Sequence, residues 1–198
     1  MTALKTAADS GIVKKAFFAL VLLLTMVLSA RSSVSDDFTD RRITTGTKIF
    51  KALLAADSDI AAKKAADGDL AVYLLYVDDT RNARRTADIL ESRESSGIHK
   101  ITVRVEIVTV SRFLQPGTGR AAGVFLTQPL NDERLQMVIN RAVREHVIVF
   151  SPFEGDVERG VQGGIAVEAQ VRPYLNMKAL QAARIQLKSF FLRVSKQL

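Results

Sequence analysis

The run Leu70 to Val77, LAVYLLYV, constrains this chain more than any other stretch. A strand with one face in water alternates apolar and polar residues, whereas an unbroken apolar run implies cover on both faces. Strands covered on both faces occur in sheets packed between layers of helices. This run therefore points to an α/β architecture with a largely parallel sheet. Asp78, Asp79 and Thr80 follow directly and can cap a helix from Arg81 to about Ser92.

The rest of the chain repeats the alternation. Lys48 to Ala56 reads as a helix with Ile49, Leu53 and Leu54 on one stripe, and Ala61 to Asp69 as a loop after it. Ile101 to Val110, ITVRVEIVTV, alternates in its first half as a half-buried strand does. Beyond the breaker-rich QPGTG lie an expected strand at Ala122 to Thr127, a helix from Asn131 to about Arg144 and a strand at His146 to Phe150. A fifth strand is expected at Ile165 to Val171, and the last two strands can be antiparallel. Asn176 then caps a short helix, Met177 to Ala183. The final segment presents Ile185, Leu187, Phe190, Phe191 and Val194, with Phe190 and Phe191 expected in the core. The expected fold is one layered α/β domain over 48–198, with a mainly parallel or mixed sheet of about five strands flanked by helices.

Lys14 and Lys15 precede an uncharged apolar run, Ala16 to Leu28 (AFFALVLLLTMVL), followed by the small residues Ser29 and Ala30. That is the anatomy of a secretory signal, and the run is shorter than the roughly 17 to 25 residues of a spanning helix. Residues 1–32 are thus expected to be a signal peptide, with an uncleaved anchor as the alternative, and 33–47 a polar linker. The product would be periplasmic. Setting aside Lys5, Lys14, Lys15, Arg31 and Asp9 lowers the formal charge from +7 to +4. That surplus is scattered, so nucleic acid is not an expected partner. The chain has no cysteine, which excludes disulfides, thiolate metal sites and cysteine nucleophiles. Its two histidines, His99 and His146, lack metal-binding spacing, so neither a metal nor a cofactor is expected.

Three clusters could carry chemistry. Asp78 and Asp79 stand at a strand end, where open α/β sheets bind ligands; capping a helix is their simpler role. Glu154, Asp156 and Glu158 could pair as acid and base, but no tryptophan platform and no calcium-loop spacing accompany them. Gly155, Gly160, Gly163 and Gly164 do not form a phosphate loop, because Val161 and Gln162 stand where Lys and Ser/Thr are required. Gly163 and Gly164 instead suit positive φ angles or a close backbone approach. No nucleophile elbow surrounds Ser151, which reads as a turn residue. Catalytic residues are not expected, and the chain does not read as an enzyme.

The run GGIAVEAQVRPYLNMKALQAARIQLKSFFLRVSK, Gly163 to Lys196, resembles the C-terminal part of the YfiR family of small exported bacterial proteins. The matching positions are Gly163, Gly164, Arg172, Asn176, Leu180, Ile185, Leu187, Ser189, Leu192 and Val194. VYLLYVDDT, AAGVFLTQPLNDERLQMVI and EHVIVFSPFEG resemble upstream parts of the family more loosely. The resemblance implies a periplasmic α/β regulator that binds, and represses, an inner-membrane signalling protein such as a diguanylate cyclase, linking it to cyclic di-GMP. Three departures stand out. Some relatives carry cysteine pairs, and this chain has no cysteine. Pro173 suggests that the last strand ends early or lies at an edge. SPFEGDVERG is longer and more acidic than a minimal turn. On this reading Glu154, Asp156, Glu158 and Arg159, on an exposed loop, and Arg172, at the end of the sheet, are candidate partner contacts. The alternative is a periplasmic small-ligand binding protein using the crevice near Asp78, Asp79 and the 152–163 loop. A homodimer is a further partner class left open.

Overall fold

The computed structural model describes residues 38–92 and 97–198. The expected signal peptide lies outside the described residues. Contacts divide the chain into Met1–Arg41 and Arg42–Leu198, and the elements below belong to the second unit.

Helix α1 covers residues 42–56 of that unit, so residues 42–47, expected in a linker, are helical. Its buried stripe is Ile43, Thr47, Phe50 and Leu54, at intervals of four, three and four, with Leu53 beside it. That is one face of a 3.6-residue helix. The polar letters around Ile43 hide this register in the sequence. Thr47 satisfies its buried hydroxyl on the Ile43 carbonyl at 2.8 Å. A 3-10 turn, Ile60–Lys63, follows and takes up the start of the expected loop.

The alternation continues with β1 (Leu70–Tyr76), α2 (Arg81–Glu91), β2 (Val103–Thr109), α3 (Val110–Leu114) and β3 (Gly123–Leu126). Next come α4 (Asp132–Glu145), β4 (Ile148–Phe150), β5 (Gly163–Val167) and β6 (Val171–Leu175), then α5 (Met177–Ala182), α6 (Ser189–Val194) and β7 (Lys196–Gln197). The sheet has seven strands in the order β2-β1-β3-β4-β5-β6-β7. The first five are mutually parallel, β6 is antiparallel to β5, and β7 is parallel to β6. This is the α/β class expected, with more strands.

Side chains along β1 alternate between two cores, which explains why its sequence does not alternate in polarity. Leu70, Val72 and Leu74 pack with α1, α2 and the C-terminal Leu180 and Phe191. Ala71, Tyr73 and Leu75 pack with Phe113 of α3 and with Leu135, Val138 and Ala142 of α4. Phe50, Phe125 and Phe150 form an aromatic cluster on the first face, with ring centroids 5.5 to 5.7 Å apart.

Two expectations fail at the C-terminus. The strand expected at Ile165 to Val171 is a hairpin, Val167 pairing with Val171 across Glu168, Ala169 and Gln170. The turn contains no Gly, Pro, Asn or Asp, so sequence reading passes through it. Glu168 holds it by accepting from Arg172 at 2.6 Å and Lys196 at 3.0 Å, and these cations keep its carboxyl below the usual range, Lys196 most strongly. Phe191 is in the core but Phe190 is 52% exposed. Pro173 pairs with Ile165 on a stretch of β6 that β7 does not cover, an open edge where proline is tolerated.

Candidate functional site

The sheet order reverses between β1 and β3, so the crevice beyond their carboxyl ends is where an open α/β sheet receives ligands. Here the Gln128 side chain fills it. Its Oε1 accepts from the backbone N–H groups of Val77 at 2.6 Å and Asp78 at 3.2 Å, and its Nε2 donates to Asp78 Oδ1 at 2.6 Å. Asp79 accepts from the Arg81 N–H at 2.8 Å and the Arg81 guanidinium at 2.9 Å, which fastens the start of α2. Each acid is thus engaged by a donor of the fold, while Asp78 stays exposed and Asp79 half-exposed.

The 151–162 loop is likewise turned inward. Asp156 is fully buried; it accepts from Ser151 Oγ at 2.5 Å and from Arg159. Arg159 also donates to Asp132 at 2.6 Å and to the Leu130 carbonyl at 3.4 Å. Asp132 first, then Asp156, hold its guanidinium charged against the opposing effect of burial. Asp156 is therefore no partner contact, and Arg159 is spent tying the loop to α4. Ser151 is an anchor of the loop rather than a simple turn residue.

The remaining candidates divide. Glu154 is exposed, and Glu158 lies beside Tyr174, whose phenol is raised first by burial and then by that carboxylate. Arg172 is paired with Glu168. Gly163 and Gly164 have ordinary negative φ, so the choice falls on close approach. A Cβ on Gly163 would stand 2.6 Å from Leu53 Cδ2, and one on Gly164 2.5 Å from Val157 Cγ2. Asn176 accepts from the Ala179 N–H at 2.9 Å, capping α5, and donates to the Val157 carbonyl at 2.9 Å.

The opposite, amino edge of the sheet is different. Arg120 precedes β3, His146 precedes β4, and Arg184 follows α5. A hollow of about 230 Å³ is lined by these three residues with Asp57, Asp59 and Lys63. It adjoins one of about 380 Å³ that shares Arg120 and His146 and adds Arg144 and Glu145. On its other side it adjoins one of about 650 Å³ that shares Arg184 and Ile185 and runs over Leu180, Leu187 and Leu192. Asp57 is taken by Lys63 at 2.5 Å, and Glu145 by Arg141 at 2.8 Å. Among the described residues Arg120, Arg144 and Arg184 have no ion pair or hydrogen bond to a side chain; Asp59 and the Oε2 of Glu145, which is buried without a hydrogen-bond partner, are the carboxylate oxygens left to oppose them.

His146 and Arg184 both adopt left-handed backbone, φ 58° and 55°, just beyond α4 and α5. Glycine is the usual residue there, and an L side chain costs roughly 1 kcal/mol or more. His146 Nδ1 donates to the Ala183 carbonyl at 3.0 Å, which orients the ring between the two helix ends. By sequence alone these cations belong to the scattered surplus of positive charge. The local signal was two helices that stop without glycine, at REHV and AARI. Among the described residues no group of three or more His, Asp or Glu could hold a metal ion.

The fold and this edge define a doubly wound α/β domain with a cationic groove. No protein-family model and no curated protein matches the chain. Solved structures do. A conserved domain protein from Vibrio cholerae O1 biovar El Tor str. N16961 aligns with TM-score 0.50 and 11% identity, over 78% of this chain and 59% of that one. The ligand-free, open structure of CD0873, a substrate binding protein with adhesive properties from Clostridium difficile, aligns with TM-score 0.51 and 14% identity, over 77% and 58%. The ABC domain in complex with L-Trp from Streptococcus pneumoniae aligns with TM-score 0.49 and 11% identity, over 78% and 59%. The likeness is one of fold, and the chain spans under three fifths of the structures it matches.

Proposed function

We propose that this protein is an exported, non-enzymatic binding protein for a small ligand, held in the amino-edge groove. One observation carries the reading: the two edges of the sheet use their polar groups in opposite ways. At the carboxyl edge Gln128 pairs with Asp78, Arg81 with Asp79 and Arg159 with Asp156. At the amino edge three guanidinium groups face connected hollows without a carboxylate each. The hollows fall within or near the few hundred cubic ångströms of small-molecule sites. The presence of this fold in a substrate binding protein supports the class.

The test is a thermal-shift screen of the purified domain against small organic ligands. A ligand at 100 times its Kd adds about 2.7 kcal/mol, which raises the Tm of a domain this size by roughly 5 to 10 °C. The expected hits lose their shift in Arg120→Ala. A library that moves the Tm nowhere overturns the reading.

A second reading, repression of an inner-membrane signalling protein, has one specific observation in its favour. Glu154 stands exposed on a loop that Asp156 and Arg159 hold in place from beneath. The variant Glu154→Ala/Glu158→Ala is expected to fold normally and to reduce recovery of a membrane sensor from solubilised membranes by about fivefold or more, the loss that follows removal of contacts worth over 1 kcal/mol. Equal recovery by variant and wild type counts against it.

A further inference from the structure

We infer that the ligand of the groove is an organic anion with an extended apolar body, its carboxylate or phosphate head between Arg120, Arg144 and Arg184 and its chain over Leu180, Leu187 and Leu192. This rests on the small-ligand reading and adds the chemistry of the ligand.

The head is set by charge. Around the two smaller hollows the acids Asp57 and Glu145 are paired with Lys63 and Arg141, Glu145 through Oε1 only, its Oε2 having no partner. Three unpaired guanidinium groups then face one unpaired carboxylate, Asp59, and the ring of His146. All three arginines are exposed, so a cationic ligand would be repelled and a neutral one would gain no charge-assisted bond from them. An anionic oxygen cluster gains charge-assisted hydrogen bonds, the strong kind for a guanidinium fork.

The body is set by what lies beyond Arg184. The hollow of about 650 Å³ shares Arg184 and Ile185 with the cationic part and continues over Met177, Leu180, Leu187 and Leu192. Ile185 and Leu180 belong to the main core, and Leu187 and Leu192 pack on it, so this wall is firm and mainly apolar, with Gln181 and Gln186 as its polar residues beside Arg184. A bare inorganic anion would leave it wet. An alkyl or other apolar chain would cover it and gain from each methylene removed from water.

The backbone agrees with this division. Arg184 stands at the junction of the two parts in left-handed conformation, a position where glycine would be less strained. Its side chain is thus separable from its structural role: Arg184→Gly removes the guanidinium while relieving the backbone.

The experiment is calorimetric titration of the whole protein with octyl phosphate, butyl phosphate, inorganic phosphate, octanoate and octanol, all below micelle-forming concentrations. Affinity is expected to rise by about fourfold per methylene on going from butyl to octyl phosphate. Inorganic phosphate and octanol are expected to bind far more weakly than octyl phosphate. Arg184→Gly and Arg120→Ala should each weaken octyl phosphate by about tenfold or more, with the Tm of Arg184→Gly equal to or above that of wild type. Affinity independent of chain length, or unchanged in both variants, overturns the proposal. Library ligands that bind at Arg120 while every alkyl anion fails would overturn it and leave the small-ligand reading standing. Failure of both sets would sink both. Co-sedimentation with anionic phospholipid vesicles that Arg120→Ala abolishes assigns the head group to a membrane lipid; octyl phosphate binding without co-sedimentation assigns it to a soluble amphiphile.

Discussion

Gly164→Ala is expected to destabilise the domain by about 1 to 3 kcal/mol, and Gly164→Val by more, enough to abolish a cooperative transition in a marginally stable protein. The added Cβ would stand 2.5 Å from Val157 Cγ2 and 3.0 Å from the Ser151 carbonyl oxygen. Neither neighbour can yield cheaply. Val157 is β-branched and stiff at χ1, and its carbonyl is held by Asn176 at 2.9 Å. The Ser151 N–H donates to the Gly163 carbonyl at 3.0 Å, tying the two backbones together. Urea unfolding followed by circular dichroism measures the effect. A loss under about 0.5 kcal/mol, the range of an ordinary surface change, would show that the loop can move and that the close approach is not required.

Asp156→Ala should be the second costly change, at about 2 to 3 kcal/mol. Removing one partner of a fully buried pair typically costs about 3 to 5 kcal/mol because the other charge is stranded. The expectation is lower here because Arg159 is 34% exposed and keeps Asp132 as a partner at 2.6 Å. The Ser151 hydroxyl also loses its acceptor. Glu154→Ala, two residues away on the same loop but exposed, should stay within about 0.5 kcal/mol. The same denaturation series decides it: equal midpoints for the two variants would mean that Asp156 is not the pin of this loop.

These two residues show how far sequence reading reached. That Gly163 and Gly164 are needed was visible, but not which property of glycine is used, since that depends on Leu53 and Val157 arriving from other parts of the chain. Asp156 sits in an acidic, glycine-containing stretch and reads as a surface residue beside Glu154 and Glu158. Burial reverses its meaning, because Ser151 and Arg159 wrap it from either side. Asp78 and Asp79 were placed at the end of β1 by pattern alone. That Gln128 would occupy their crevice was unreadable, as it comes from the end of the neighbouring strand.

The sequence by itself determined the class of fold and the main α/β succession from β1 to β4. Both follow from local periodicity: an unbroken apolar run demands two covered faces, and capping residues mark where helices begin. Asn176 belongs to this part, since a cap acts on the N–H groups of its own helix. Only the tertiary structure decided the Glu168–Gln170 turn, the inward role of Asp156 and Arg159, and the placing of Arg144 and Arg184 on two hollows that share Arg120 and His146. Each depends in part on a group far off in the sequence, Asp132 for Arg159 and Lys196 for Glu168 among them. Hydrogen-bond satisfaction and charge pairing act over a few ångströms between residues dozens of positions apart, and periodicity along one segment carries no record of that.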